Sequence, residues 1–575
     1  MLKKGIASAL TTLAVASTIT AADLKRPNVV LILTDDENFD TLSCYGGKVK
    51  TPYIDSIAKN GVKFTNFNVV HSICSPSRYA ILTGRYYDNC SSPDFLQLYP
   101  KGKASCVTNF ITLEKDGFNV PSVLRNDGYI TGYVGKFHLT DHHLLRNSKE
   151  WEKNGLQQYR MLADPKENRA ANRKMHDNHQ FWVDKIKQYG FDYVNGVYSA
   201  NLRELFNKKL EAHNVEWTTD AALQFLKQQK GGKKPFFLMV ATTYPHGPAP
   251  ERMIDNKYKF SLDNDVQLTG EGYVTNRDLS KVLPDREQYK KLRGISAKAP
   301  TAAWWDAAVG AIIKQLKASG EYENTLIIYT SDHGKLGFRK TTLYEDGVHV
   351  PLLMQWPAVI KPGTVYRHVV GSVDIAPTVL SVCNAKIPSG YQLDGVSLKP
   401  VLEGKPKPVR DALFMAMGYA HGIKTDHYKY IAVRYPVEVE KQINEGKTFK
   451  GKKGDPPLPQ PYLILHQQLA QKAASKCKNY FARNQLYDLS KDPGEENNIY
   501  KSSPETAAKM RALLARESKR LFPHRPFGEF GAAGATNKVF DNASRAIWYP
   551  ASTAQLKITS EAVGRRNQQT VGSAK

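Results

Sequence analysis

Two pairs of residues in this chain, Asp35-Asp36 and Asp332-His333, bring three carboxylates and an imidazole to what could be one site. Such a cluster repels itself unless a cation sits among its members, so a divalent metal is expected. Oxygen-rich ligation favours Ca2+, with Mg2+ and Mn2+ as competitors. A third stretch, Cys74-Ser75-Pro76-Ser77-Arg78, holds a thiol that is either a small buried apolar group or a nucleophile. If a helix begins at Cys74, Arg78 lies one turn on and can reach back to it. Lys136, His138 and His246 add charge and proton-exchanging nitrogens. Each has an ordinary reading as well: paired aspartates often cap turns, lysines in loops are usually solvated, and single histidines are commonly hydrogen-bonded structural residues.

The elements that carry these residues argue for a common site. Pro27 to Thr34 is a continuous apolar, β-branched run suited to a strand buried on both faces, and it stops at Asp35-Asp36. Thr325 to Ser331 stops at Asp332-His333 after a helix-like segment from Ala302 to Leu316. Pro235 to Ala241 runs into Tyr244-Pro245-His246, and Tyr129 to Val134 delivers Lys136 and His138. In open α/β sheets ligands bind beyond the carboxyl ends of the strands, so four such endings point to one place.

The run HSICSPSRYAILTGRY around Cys74 resembles the signature of type I sulfatases. Asp35-Asp36, Lys136, His138, His246, Asp332-His333 and Lys340 follow in that family's order, with His333 standing where many relatives have Asn. The likeness extends from about residue 26 to 520, through Thr51 to Asp55, Ser372 to Thr378, and Leu486 to Leu489 followed by Asp492 to Glu495. It implies that a maturation enzyme reads Cys-x-Pro-x-Arg and oxidises Cys74 to formylglycine, whose hydrate attacks sulfur. By the same resemblance, Asp35, Asp36, residue 74, Asp332 and His333 hold the metal. Lys136, Lys340 and Arg78 neutralise sulfate and hydrate oxygens, and Asp332 activates the attacking hydroxyl. His246 protonates the leaving oxygen, with Lys340 as the alternative donor, and His138 takes the proton from the remaining hydroxyl. The implied architecture is α/β: an alkaline-phosphatase-like mixed, mainly parallel sheet between helices. A smaller C-terminal α+β subdomain would add an antiparallel sheet plus a helix. Leu413 to Met417 and Tyr428 to Val433 read as its strands, and Glu505 to Leu521 as its helix.

Length and charge frame these readings. A chain of 575 residues with 41% hydrophobic content can bury a large core, and two main domains are expected. The divisions are a signal peptide at 1–22, a catalytic domain at 24–405, a C-terminal subdomain at 406–522 and an extension at 523–575. The basic start Met1 to Lys4, the small apolar run from Ile6 to Ala16 and Thr20-Ala21-Ala22 predict export to the periplasm or medium. No later run approaches the ~18 apolar residues of a spanning helix, so no membrane insertion is expected. Net charge is +25, from 80 basic against 55 acidic residues, which suits a polyanionic partner. Basic stretches at Lys281 to Lys298 and Lys447 to Lys453 have few aromatics for base stacking and no groove-reading motif, which disfavours nucleic acid. A sulfated glycan of the carrageenan, ulvan or glycosaminoglycan kind is the expected substrate, with Trp182, Tyr189, Trp304 and Trp305 either core residues or sugar-stacking platforms. Rival readings are a phosphonate or phosphate ester hydrolase of the same superfamily and a non-catalytic glycan-binding protein. Cys90 and Cys106, flanking a short Ser/Pro/Gly loop, are the candidate disulfide pair.

Overall fold

The computed structural model describes residues 26–522, apart from 99–110, 141–150, 159–162, 203–209, 211, 248–260, 297, 335–339, 419 and 435–476. The signal peptide, the extension at 523–575, the 447–453 basic run and Cys106 lie outside the described residues.

In the main sheet the strands are β1 (Asn28–Thr34), β2 (Val62–Phe64), β3 (Ile130–Lys136) and β4 (Tyr193–Tyr198). The remaining ones are β5 (Phe236–Ala241), β6 (Thr325–Ser331), β7 (Leu352–Gln355) and β8 (Thr364–Tyr366). Their spatial order is β8-β2-β7-β6-β1-β5-β3-β4. The block from β6 to β4 is parallel throughout, whereas β7 runs antiparallel to both β6 and β2. The four strands expected to end in chemistry, β6, β1, β5 and β3, are therefore consecutive and end together.

Every residue of β1 is buried, because both faces of the sheet are covered. Val29, Leu31 and Leu33 join a core with α2 (Cys74–Thr83), α3 (Arg169–Lys187) and α7 (Ile375–Val382). Val30 and Ile32 pack on the other face with α1 (Pro52–Lys59), α4 (Val215–Gln228) and α5 (Ala299–Ala318). The short α6 (Glu345–Val348) lies between β6 and β7 in the chain. Trp182, Tyr189, Trp304 and Trp305 all lie inside these cores, so none is a platform for sugar.

The C-terminal sheet is β9 (Leu413–Met417), β10 (Ala420–Lys424), β11 (Tyr428–Val433) and β12 (Asn484–Asp488), antiparallel in that order. Two of these strands were expected as a pair, and β10 is inserted between them. The closing helix α8 (Pro504–Leu521) contributes Met510 and Leu514 to the first core. Cys90 keeps a free buried thiol 3.7 Å from the Thr112 carbonyl, and its expected disulfide partner Cys106 lies outside the described residues. Among the described residues no helix is long and apolar enough to cross a membrane.

One buried histidine gives the fold an acid-sensitive point. His179 on α3 accepts the Val197 backbone N–H of β4 at Nε2, 3.3 Å away, and burial pushes its pKa from 6.5 down to about 4. The unfolded chain takes up this proton first, so stability is intact above pH 6.5 and is lost as pH falls towards 4. The loss from this one residue is about 3 kcal/mol. Urea midpoints across that interval should fall steeply for the parent and less so for His179→Gln.

Candidate active site

The carboxyl ends of the central strands deliver their residues within a few ångströms of one another. Asp35 and Asp36 follow β1, Asp332 and His333 follow β6, Lys136 is the last residue of β3, and His246 lies on the turn after β5. A bulge between Val134 and Gly135 re-aims the end of β3. Gly135 has φ +95°, and a Cβ there would meet the Ala241 carbonyl oxygen at 2.0 Å, so only glycine fits. Three residues around the cluster, Asp36, His138 and Thr341, hold φ values of 71°, 61° and 71°, in the left-handed region that non-glycine residues avoid. Backbone strain of this kind persists where surrounding structure over-determines it, most often at functional sites.

Cys74 opens α2 and is 2% exposed. Its Sγ lies 3.1 Å from His333 Nε2, 3.7 Å from Asp35 Oδ1 and 3.8 Å from Lys340 Nζ. Burial pushes the thiol up to about 12, although Lys136 and Lys340 pull the other way, so the encoded side chain stays protonated. Since the thiolate is the nucleophilic form, burial works against attack by the encoded thiol.

Arg78 reaches back from the second turn of α2. Its Nε donates to Asp332 Oδ2 at 2.9 Å, its Nη2 lies 3.4 Å from Asp35 Oδ2, and Nη1 donates to the Lys136 carbonyl at 2.7 Å. Burial opposes its charge, but the Asp332 and Asp35 carboxylates hold it firmly protonated. Lys136 Nζ donates to Asp35 Oδ2 at 2.5 Å and to Asn201 Oδ1 at 2.7 Å. Lys340 Nζ donates to Asp36 Oδ1 at 2.6 Å. Burial would raise the Asp35 pKa, yet Lys136, His246 and Arg78 hold it well below the usual carboxylate range.

The two cluster histidines are neutral. Both neighbours of His333 Nδ1 are acceptors, the Gly334 carbonyl at 3.1 Å and Asp36 Oδ1 at 3.3 Å. Nδ1 therefore carries the proton, and Nε2 turns its lone pair towards Sγ. His246 Nδ1 likewise faces the Gly247 carbonyl at 2.9 Å, leaving Nε2 unprotonated 4.0 Å from Asp36 Oδ2. Burial lowers its pKa to about 3; water still reaches 21% of the side chain, which softens the effect without reversing it.

The donor set fits a cation. Ligand atoms of Asp35, Cys74, Asp332 and His333 lie within 4.8 Å of one another, as do those of Asp35, Asp36 and His246. That span suits atoms about 2.0–2.6 Å from a common centre. An oxygen at position 74 would complete the set better than a protonated thiol.

His138 enters through its backbone. Its N–H donates to the Ser199 carbonyl at 2.8 Å, and its own carbonyl accepts from Ser75 Oγ at 2.9 Å, which ties the end of β3 to the start of α2. Sequence reasoning missed Asn201, Ser75 and His213, whose Nε2 lies 2.9 Å from the His246 carbonyl. Asn201 had a readable signal, because it follows β4, a further strand of the parallel block.

The mixed, mainly parallel sheet, with carboxylates, lysines and the helix-opening Cys74 at its carboxyl edge, is an alkaline-phosphatase-like fold. The chain belongs to the sulfatase family, whose model matches residues 27–385, and it is a sulfuric ester hydrolase. A second model, N-sulphoglucosamine sulphohydrolase, C-terminal, matches residues 332–445. The chain is 25% identical to an N-acetylglucosamine-6-O-sulfatase of Bacteroides thetaiotaomicron, over 86% of each chain. It is 28% identical to an ulvan-active sulfatase of Formosa agariphila, over 70% of this chain and 72% of that one. Among solved structures it resembles Ps i-CgsB in complex with k-i-k-neocarrahexaose, with a TM-score of 0.52, 20% identity, and coverage of 92% of this chain and 98% of the other.

Proposed function

We propose that this enzyme releases sulfate from a sulfated glycan, using residue 74 matured to formylglycine. The observation that supports it most directly is the placement of residue 74, at the start of a buried helix, among two lysines, three aspartates and two histidines. Substrate class is carried by net charge and by the sulfated glycans named for the relatives. The chain would be exported and matured by a formylglycine-generating enzyme. Asp35, Asp36, residue 74, Asp332 and His333 would hold one divalent cation, with Ca2+ favoured by the carboxylates. When bound, that cation supplies Lewis-acid polarisation of sulfate and hydrate oxygens.

The chain's own groups would act as follows. One hydroxyl of the hydrated aldehyde gives its proton to Asp332, and its oxygen bonds to sulfur as the ester S–O bond breaks. The leaving alcohol takes a proton. The second hydroxyl then loses its proton to a base, for which His138 is the candidate, and the C–O bond to sulfate breaks. Sulfate departs, the aldehyde is restored, and water adds to it again. Lys136, Lys340 and Arg78 are preorganised against the developing charge.

For the leaving-group proton the geometry favours Lys340 over His246. Burial opposes the Lys340 charge, but Asp36 keeps it protonated, whereas His246 lacks a proton on the nitrogen facing the cluster. Lys340→Met should therefore lose about 10²–10⁴-fold on sugar sulfates, whose leaving groups need a proton, and far less on aryl sulfates. His246→Gln should depress both substrates alike. A selective loss in His246→Gln instead would return the role to that histidine.

The test of the overall reading is sulfate release from a panel of defined carrageenan, ulvan and glycosaminoglycan oligosaccharides. Turnover should be confined to sulfate esters and vanish in excess chelator. Faster cleavage of aryl phosphates would favour a phosphate ester hydrolase, and binding without release would favour a glycan-binding protein.

A further inference from the structure

Lys340 sits on a segment fastened from the C-terminal sheet. The Thr341 N–H donates to the Ser72 carbonyl at 3.4 Å, and Ser72 Oγ to the Thr342 carbonyl at 2.6 Å. From there the contacts change owner. Lys429 of β11 donates to the Leu343 carbonyl at 2.9 Å, the Tyr344 hydroxyl to Gln485 of β12 at 2.8 Å, and the Glu345 N–H to Glu495 at 2.6 Å.

Beneath that segment the sheet contains an arrangement that costs it stability unless something else is present. Lys424 and Lys429 are direct cross-strand partners on β10 and β11, 2% and 0% exposed. Like charges facing each other across strands destabilise a sheet, and buried ammonium groups need counter-ions. Glu345, which opens α6, supplies one: its carboxylate lies 2.8 Å from Lys424 Nζ and 2.7 Å from Lys429 Nζ. Glu495 supplies the other, 2.7 Å from Lys429 Nζ. Lys424 also donates to Asn68 Oδ1 at 2.9 Å, and His349 Nδ1 stands 3.1 Å from Glu345.

We propose that Lys424, Lys429 and Glu495 form a socket for Glu345 that fixes the backbone from Leu343 to Glu345 and so positions Lys340 against Asp36 and residue 74. The lysine pair is then a set of positioning residues contributed by the C-terminal sheet to the hydrolytic site. This rests on the reading above in which Lys340 contacts the sulfate.

The test combines kinetics with backbone hydrogen exchange on Lys429→Met and Glu345→Gln, each alone and in a Lys340→Ala background. Misplacing a catalytic group by about an ångström costs on the order of 10²-fold, so each single variant should lose kcat on that scale with KM little changed. Exchange should quicken at residues 341–349. In the Lys340→Ala background neither substitution should slow turnover further, because the group they position is already gone. Full additivity in that background, or unchanged exchange, would overturn the proposal. Should Lys429→Met fail to fold, Glu345→Gln keeps the side-chain shape and carries the same readouts, and Lys429→Arg should recover part of the rate. If the parent releases no sulfate, the functional reading fails on its own account, and the exchange data still decide whether the socket holds the segment.

Discussion

Cys74→Ser enzyme is expected to turn over once and stop. A serine hydroxyl in the same place can attack sulfur, but the resulting ester has no second hydroxyl whose ionisation would expel sulfate. Rapid mixing should therefore show a burst of alcohol equal to the enzyme present, followed by a steady rate lower than the parent's by about 10⁵-fold or more, the scale seen when a covalent nucleophile is removed. Mass spectrometry should find sulfate on the introduced hydroxyl of the stalled variant. Cys74→Ala should show neither burst nor turnover. In the active parent the peptide containing residue 74 should be lighter than encoded, by the exchange of SH2 for O. Full activity from protein whose residue 74 is an unmodified thiol would overturn the mechanism.

Arg78→Met should be the most damaging single change to the protein's stability within the cluster. The guanidinium is fully buried and contacts Asp332, Asp35 and the Lys136 carbonyl at once. Removing it strands two carboxylates and a carbonyl in the interior, a situation that costs about 3–5 kcal/mol. The denaturant midpoint should drop accordingly, and sulfate release should be lost even at temperatures where the variant remains folded. Arg78→Lys should recover little, since a single ammonium cannot reproduce a planar fork directed at three acceptors. An unchanged midpoint in Arg78→Met would show that Lys136 suffices to neutralise Asp35.

Much of the site could be read before any coordinates because its signals are local. A largely apolar, β-branched strand that ends abruptly in carboxylates, as at Thr34-Asp35 or Ser331-Asp332, is visible in ten residues, and the Cys74 to Arg78 spacing is visible in five. What stayed hidden depends on distance along the chain. Asn201 meets Lys136 from 65 residues away, and Glu345 meets its lysines from 79 and 84. The same long-range chemistry concealed β10. In Ala420-His421-Gly422-Ile423-Lys424 a glycine, a histidine and a buried lysine break the apolar alternation that marks a strand, and they are tolerated because Glu345 and Asn68 satisfy Lys424. The buried tryptophans show the converse. Aromatic residues on helices look alike in sequence whether they face sugar or core, and only the packing of α3 and α5 against the sheet separates the two.

The side chains meeting at residue 74 also balance one another in charge. Asp35, Asp36 and Asp332 bring three negative charges, and Lys136, Lys340 and Arg78 bring three positive ones, each paired by direct contact. With its two histidines neutral, the cluster carries no net charge, so the self-repulsion expected of its carboxylates is met by the chain's own lysines and arginine. A dication held there would leave the pocket positive, and that surplus would suit an anionic ester. Selectivity for anions would in this sense come from the loaded site rather than from the charges of the bare polypeptide.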